Sequence, residues 1–142
     1  MILPDINLLV YAHNIRAPHH ERALQWWNQC LIGNESVALA WAVILGFVRI
    51  VTHPSVFQRP MSVGDSTDRV AEWLSLPHVH IVHPADDHFA RWSSLLLAIG
   101  IASNLTTDAH LATLAIERGL VLHTTDVDFA RFRGLKWTNP LR

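Results

Sequence analysis

The sequence predicts an α/β protein of three layers, in which helices cover both faces of a central, mostly parallel sheet. Short apolar segments such as residues 79–82 alternate along the chain with helical segments such as residues 41–52. Strands and helices that alternate in this way form parallel βαβ units. Half of the 142 residues are hydrophobic, which is enough for a core without covalent support. We therefore expect a single domain over residues 1–142.

The first half of the chain predicts two strands and four helices. Ser62 is a suitable N-cap for the fourth helix, and Asp65 places a carboxylate near the positive end of that helix. His53 and Pro54 end the third helix, because the residue before a proline disfavours helical geometry. The strands are expected at residues 2–4 and 36–40, and the helices at residues 7–13, 18–31, 41–52 and 62–76.

The second half of the chain predicts three more strands and three more helices. Gly100 and Gly119 follow two of these helices, where glycine commonly ends a helix. Thr106 or Thr107 is the expected N-cap of the helix that precedes Gly119. The strands are expected at residues 79–82, 120–123 and 135–137, and the helices at residues 84–99, 106–118 and 129–132.

Composition excludes several classes of protein. A single cysteine, Cys30, rules out an internal disulfide and disfavours a thiolate zinc site. The net charge of −1 provides no overall field for nucleic acid, so a polyanion would have to meet a local patch. The longest uncharged stretch, residues 37–48, is too short to span a bilayer, and no signal peptide is evident. We expect a cytoplasmic protein without a membrane partner.

Acidic residues follow two of the predicted strands. Asp5 follows residues 2–4, and Asp126 and Asp128 follow residues 120–123, whereas Asp108 lies in the first turn of a late helix. The carboxyl ends of parallel strands line one crevice, so these side chains are expected to meet. Carboxylates within about 4–6 Å of one another repel unless a cation neutralises them. An all-oxygen site of this kind suits Mg²⁺ or Mn²⁺, which in turn suit phosphodiester hydrolysis.

Each of these acids also has a purely structural explanation. Asp108 would complement the dipole of its helix, and Asp126 would cap the short helix that follows it. Asp5 and Asn7 would form a turn. All three explanations must hold together, however, and the acids lie at the same predicted edge of the sheet. That coincidence favours a shared site.

The order and spacing of these motifs resemble the PIN-domain family, and more closely the VapC-type toxins of type II toxin–antitoxin systems. The resemblance rests on Asp5 with Asn7, on Asp108 between Thr107 and Ala109, and on residues 124–129. Residues 41–54 and 132–141 are similar to one branch of those toxins. Essentially the whole chain is covered, although no single motif is specific.

The resemblance implies a metal-dependent endoribonuclease. Asp5, Asp108 and Asp126 would be the catalytic, metal-binding acids, with Asp128 as a fourth metal ligand. Asn7 and Thr125 would orient carboxylates or water from the second layer around an Mg²⁺ or Mn²⁺ ion. Because water would be the nucleophile, we expect products with a 5′-phosphate and a 3′-hydroxyl.

The resemblance also implies partners. The substrate would be a structured RNA, and a small cognate antitoxin would block the acidic cleft, often with a basic side chain. The toxin would form homodimers. The candidates for contact with RNA phosphates are the basic residues that follow Asp128, together with one arginine before the second helix: Arg131, Arg133, Lys136 and Arg16.

One position departs from the family pattern. Many PIN domains carry a glutamate on the helix after the second strand, where this chain has Gly46 and no acid on that helix. Asp128 or Glu21 would have to compensate, and a catalytically silent PIN fold that acts only by binding is the alternative. Haloacid-dehalogenase-like hydrolases and receiver domains fit less well. Asn7 replaces the second aspartate of the former, and residues 37–64 lack the aspartate of the latter.

Overall fold

A computed structural model describes residues 1–142 and contains one sheet of five strands. Every neighbouring pair of strands is parallel, in the order β3-β2-β1-β4-β5. The α/β fold class predicted from the sequence is confirmed, and the sheet is wholly rather than mostly parallel. The strands are β1 (Ile2–Pro4), β2 (Val37–Ala40), β3 (Val79–Val82), β4 (Val121–His123) and β5 (Trp137–Thr138).

Six α-helices connect these strands. Because parallel crossovers are right-handed, the steps from β1 to β2 and from β2 to β3 place the first four helices on one face. The return from β3 to β4 places the last two on the other face. The helices are α1 (Ile6–His13), α2 (His20–Ile32), α3 (Trp41–Val51), α4 (Val63–Leu74), α5 (His88–Ile99) and α6 (Thr106–Arg118). None of them is long and apolar enough to cross a membrane.

Several helix ends follow local chemistry. The Ser62 hydroxyl accepts a hydrogen bond of 3.0 Å from the Asp65 amide, as a capping residue does. Gly100 and Gly119 end α5 and α6 with φ angles of 82° and 67°, a region in which residues with a Cβ are strained. The expected threonine cap of α6 is wrong. A 3₁₀ turn, Ser103–Leu105, runs directly into the helix and leaves Leu105 at the cap position without a side-chain bond.

A second difference concerns the segment after β4. The short helix expected at residues 129–132 is a 3₁₀ turn over Val127–Arg131, which begins directly after Asp126. The Asp126 side chain caps this turn, because its Oδ1 accepts a hydrogen bond of 2.9 Å from the Asp128 amide. The capping interaction draws the start of the turn back toward the end of β4.

The centre of the sheet sets the position of the acidic residues. β1 lies between β2 and β4, with Leu3 opposite Leu122 and Pro4 opposite His123. The Asp5 amide extends this ladder by donating a hydrogen bond of 2.9 Å to the His123 carbonyl. Both strand ends therefore stop at the same level, and the residues that follow them emerge side by side.

Candidate active site

Asp5 is the most deeply placed acid of the site. It is only 6% exposed, at the carboxyl end of β1. Its Oδ1 accepts a hydrogen bond of 2.7 Å from the Ile6 amide, which caps α1, and its Oδ2 accepts one of 2.8 Å from the Thr124 hydroxyl. Burial raises the pKa of Asp5, while these two hydrogen bonds act in the opposite direction. The helix cap thus coexists with a site role, since each carboxylate oxygen retains acceptor capacity.

Thr124 joins two of the acids. Its hydroxyl donates to Asp5 Oδ2 and accepts a hydrogen bond of 3.0 Å from the Asp126 amide. The side chain is fully buried. Thr125, for which the resemblance implies an orienting role, makes no side-chain hydrogen bond within the chain, so that role stays a prediction.

Asp108 enters the site from α6. It lies in the first turn of that helix and is half-buried. Its pKa is raised to about 6, mainly by burial and in addition by the negative charges of Asp5, Asp126 and Asp128. The structure therefore brings all four predicted acids into one electrostatic neighbourhood. Glu21, on the exposed first turn of α2, is not among the groups that act on Asp108.

The donor set fits a hard divalent cation. Four carboxylates and no thiolate or imidazole form the kind of oxygen-rich surface that Mg²⁺ or Mn²⁺ binds. As the side chains stand, no three histidine, cysteine, aspartate or glutamate groups converge closely enough to hold a metal ion. Repulsion keeps unpaired carboxylates apart, so a bound cation would have to draw them together. Metal binding by these residues stays a prediction.

The other predicted site residues lie at the surface, and one of them lines a separate cavity. Asn7 is exposed in the first turn of α1 and makes no side-chain hydrogen bond. Arg131, Arg133 and Lys136 are all exposed after Asp128, so they are free to meet a polyanion. Arg16, the fourth candidate for contact with RNA, lies elsewhere. It lines a cavity after α1 together with residues such as Phe57 and Arg59, and none of the four aspartates lines that cavity.

Gly46 has a packing explanation. It is buried on α3, and a Cβ added there would stand 2.7 Å from Cδ1 of Ile6. Ile6 directly follows Asp5, so its side chain fills the space beside the first acid. A glutamate at position 46 would have no room unless Ile6 moved. The absence of a glutamate at position 46 therefore goes together with the Ile6 side chain that fills the space beside it.

Comparisons with known proteins match the chain to one family. The family model described as PIN domain matches residues 2–135. Ribonuclease VapC33 of Mycobacterium tuberculosis is 43% identical over 142 residues, which cover 100% of this chain and 99% of that protein. Ribonuclease VapC37 of the same organism is 37% identical over 140 residues, covering 99% of this chain and 97% of that protein.

Solved structures share the fold at lower identity. VapC20 of Mycobacterium tuberculosis, described as a Sarcin-Ricin loop cleaving toxin, matches with a TM-score of 0.69 and 14% identity, over 96% of this chain and 99% of that one. VapBC2 of Rickettsia felis, solved bound to a promoter DNA fragment, matches with a TM-score of 0.66 and 19% identity over 98% of each chain. At these identities the likeness establishes the fold alone.

We predict that Thr124→Val lowers the free energy of unfolding by about 1–3 kcal/mol, because the Asp5 carboxylate loses a buried donor and the Asp126 amide loses its acceptor. Thr124→Ser keeps the hydroxyl and should remain close to the wild type. Urea denaturation followed by circular dichroism measures both. Thr125→Val is the matched control and should change little, since that side chain makes no hydrogen bond. An equal loss in Thr125→Val would contradict the assignment.

We predict that Asp108→Asn stabilises the metal-free protein at neutral pH. An acid whose pKa rises on folding, here from 3.8 to about 6, stabilises the fold below the lower value. That contribution is lost as the pH rises through about 6. After discounting for solvent exposure, the gain at neutral pH is on the order of 1 kcal/mol.

Thermal unfolding in EDTA across this pH range measures the effect. The advantage of Asp108→Asn should shrink as the pH falls toward 3.8. Asp68→Asn, which alters an exposed carboxyl on α4, is the control. An advantage of Asp108→Asn that does not vary with pH would show that charge repulsion is not its cause.

A double-mutant cycle tests the contact between Gly46 and Ile6. Gly46→Ala alone should lower the free energy of unfolding by about 1 kcal/mol through overpacking. In an Ile6→Val background, which removes the Cδ1 atom, the same change should be neutral or stabilising. Gly64→Ala on α4 is the control, because its new Cβ would approach no atom closer than 4.0 Å. Additive effects at positions 6 and 46 would contradict the steric coupling.

Proposed function

The chain belongs to the PIN-domain family, and from that premise we propose that it is a VapC-type toxin that cleaves RNA as an endoribonuclease. The observation that carries the proposal is the meeting of four aspartates from β1, α6 and the turn after β4 at one edge of the sheet. The relatives named as VapC ribonucleases support it, because the chain aligns with them along its whole length. Hydrolysis of phosphodiester bonds suits such an acidic cleft.

We propose Mg²⁺ or Mn²⁺ as the cofactor, held by Asp5, Asp108 and Asp126 with Asp128 as a fourth ligand. When bound, the ion would lower the pKa of a coordinated water and neutralise charge that develops on the phosphate. The residues of the chain supply orientation. The bonds of Asp5 to the Ile6 amide and to the Thr124 hydroxyl hold its carboxylate in one direction. Attack by water predicts 5′-phosphate and 3′-hydroxyl ends.

The cluster Arg131, Arg133 and Lys136 is the proposed contact for RNA phosphates. All three residues are exposed and directly follow the acidic segment, so they could hold the strand on either side of the reacting phosphate. The net charge of −1 disfavours broad electrostatic binding. Such a weak charge is better suited to recognising the local shape and the single-stranded loops of a structured RNA. We propose that this activity takes place in the cytoplasm.

We further propose a cognate antitoxin and a homodimer. Solved structures of this fold include the complexes named VapBC2 and VapBC-1. A basic side chain of an antitoxin would relieve the repulsion among the four aspartates in the same way as a cation. A dimer would cover apolar side chains that α3, α5 and the residues just after α5 expose to solvent, namely Trp41, Leu45, Leu97 and Ile101.

A catalytically silent PIN fold is the second candidate. Gly46 favours it, because the site receives no carboxylate from α3 and Ile6 closes the space where one would enter. Divalent-metal binding separates the two candidates. A working site should gain thermal stability in Mn²⁺, and Asp108→Asn should abolish that gain.

Cleavage of RNA is the direct test. Purified protein, free of antitoxin, is incubated with total cellular RNA in Mg²⁺ or Mn²⁺, and the cut ends are mapped. We expect discrete cuts with 5′-phosphate ends, which disappear in EDTA and in Asp108→Asn but persist in the surface control Asp68→Asn. Loss of one metal-binding carboxylate should lower the cleavage rate by about 100-fold or more.

Two outcomes would contradict the proposal. Folded protein that binds no Mn²⁺ and cuts no RNA would support the silent fold. Cutting that survives both EDTA and Asp108→Asn would mean that the acidic site is not the catalytic centre.

A further inference from the structure

A cavity of about 370 Å³ lies next to the acidic site, and we call it the aromatic cavity. Ala42 begins its wall at the start of α3, just beyond the carboxyl end of β2. Thr106 and Thr107 continue the wall and directly precede Asp108. The cavity therefore opens at the same edge of the sheet as the four aspartates. Its lining residues are Ala42, His88, Phe89, Trp92, Thr106, Thr107 and His110.

A hydrogen-bonded row of three side chains supports the floor of this cavity. The Glu117 side chain is 2% exposed, and its Oε1 accepts hydrogen bonds of 3.1 Å from the Ala85 amide and 2.7 Å from His88 Nδ1. The second nitrogen of His88 lies 2.9 Å from His110 Nδ1. The other oxygen of Glu117 is buried without a partner. A buried carboxylate that is only half satisfied is costly, so packing alone does not account for this arrangement.

The row fixes the imidazole of His110. His88 bridges Glu117 and His110 through its two ring nitrogens, so Nδ1 of His110 is engaged within the chain. The remaining nitrogen, His110 Nε2, donates or accepts according to the tautomer of the row. It makes no hydrogen bond within the chain and is not among the buried unpaired atoms, so it is accessible from the cavity. A polar group of a ligand would complete the row.

Two aromatic rings form the side of the cavity. Phe89 is 74% exposed, and its ring centre lies 5.8 Å from that of Trp92. The Trp92 indole is held in place, because its N–H donates a hydrogen bond of 2.9 Å to the Thr106 carbonyl. The two ring planes are tilted by 39°, so a planar group can stack on the exposed phenylalanine while the fixed indole borders it. Stacking is how proteins hold unpaired bases of single-stranded nucleic acid.

Resting on the ribonuclease function, we propose that the aromatic cavity binds one unstacked base of the RNA strand next to the phosphodiester that is cut. The base stacks on the exposed ring of Phe89 with Trp92 beside it, and His110 Nε2 forms a hydrogen bond with a polar group on the edge of the base. The volume lies within the range of about 300–1,000 Å³ that is usual for small-ligand sites. Glu117 and His88 act as positioning residues for His110.

Photo-crosslinking locates the base without any need for cleavage. Short random-sequence RNAs that carry 5-iodouridine are irradiated with the protein in EDTA, and the modified peptides are identified by mass spectrometry. We expect crosslinks at Phe89 or Trp92. Crosslinks confined to other parts of the surface would overturn the cavity as a base site and leave the ribonuclease proposal standing.

Binding of the same RNAs, followed by fluorescence anisotropy in EDTA, gives a second measure. Phe89→Ala should weaken binding about 5- to 10-fold, the effect of losing one stacked base. We choose Phe89 rather than Trp92, because the exposed Phe89 ring contributes little to the stability of the fold. His110→Phe keeps an aromatic ring and should weaken binding, since it lacks the Nε2 atom that would bond the edge of the base. Ile32→Ala, which removes an exposed apolar side chain outside the cavity, should bind like the wild type.

Sedimentation of each variant excludes an indirect effect. If Phe89→Ala dissociates a dimer and RNA binding is lost with it, the cavity belongs to the subunit interface and the proposal is wrong. Wild-type affinity in both Phe89→Ala and His110→Phe would also overturn it. Failure of the wild-type protein to cut any RNA in Mn²⁺ would count against the ribonuclease function itself, whereas cutting without any crosslink at Phe89 or Trp92 would count against the cavity alone.

Discussion

The hydrogen bond from the Thr124 hydroxyl to Asp5 ties together residues that are 119 positions apart in the chain. It forms because β1 and β4 are parallel neighbours that end at the same level, so the residues after them meet. The same hydroxyl accepts from the Asp126 amide, and Asp126 in turn caps the turn that carries Asp128. The buried hydroxyl of Thr124 thus positions acids that follow two different strands. The second carboxylate oxygen of Asp5, Oδ1, caps the start of α1.

The carboxylates that this alignment brings together repel one another. The geometry that collects the carboxylates also raises the pKa of Asp108 to about 6, because burial and three neighbouring charges disfavour its ionised form. A cleft of this kind is incomplete without positive charge. In the proposed function a divalent cation and a basic side chain of an antitoxin would relieve the same repulsion, so binding of one would weaken binding of the other. Inhibition by an antitoxin then needs no change in fold.

Local signals in the sequence were sufficient for the fold but not for the detail of the site. The segment 79–82, the Ser62 cap and the two terminal glycines of α5 and α6 follow from nearest-neighbour chemistry, and the structure agrees. The meeting of the acids follows from the rule on strand ends. The bond of Thr124 to Asp5 depends on which side chain after β4 faces the end of β1, and the sequence alone does not indicate it. The row Glu117–His88–His110 joins α5 and α6 through contacts between distant residues, and no spacing in the sequence indicates it.

The contact of Gly46 with Ile6 has a consequence for how this site can change over generations. A glutamate introduced at position 46 would meet the Ile6 side chain before it reached the acids, since even a Cβ there lies within 2.7 Å of that side chain. A smaller residue at position 6 would first have to open the space, and in doing so would leave a void beside Asp5. The atom met first is Cδ1, the far end of the Ile6 side chain, so the cost of a new side chain at position 46 depends on how far Ile6 can turn aside. The two positions are therefore coupled, and an acid on α3 would be accepted most easily in a lineage that also changes residue 6.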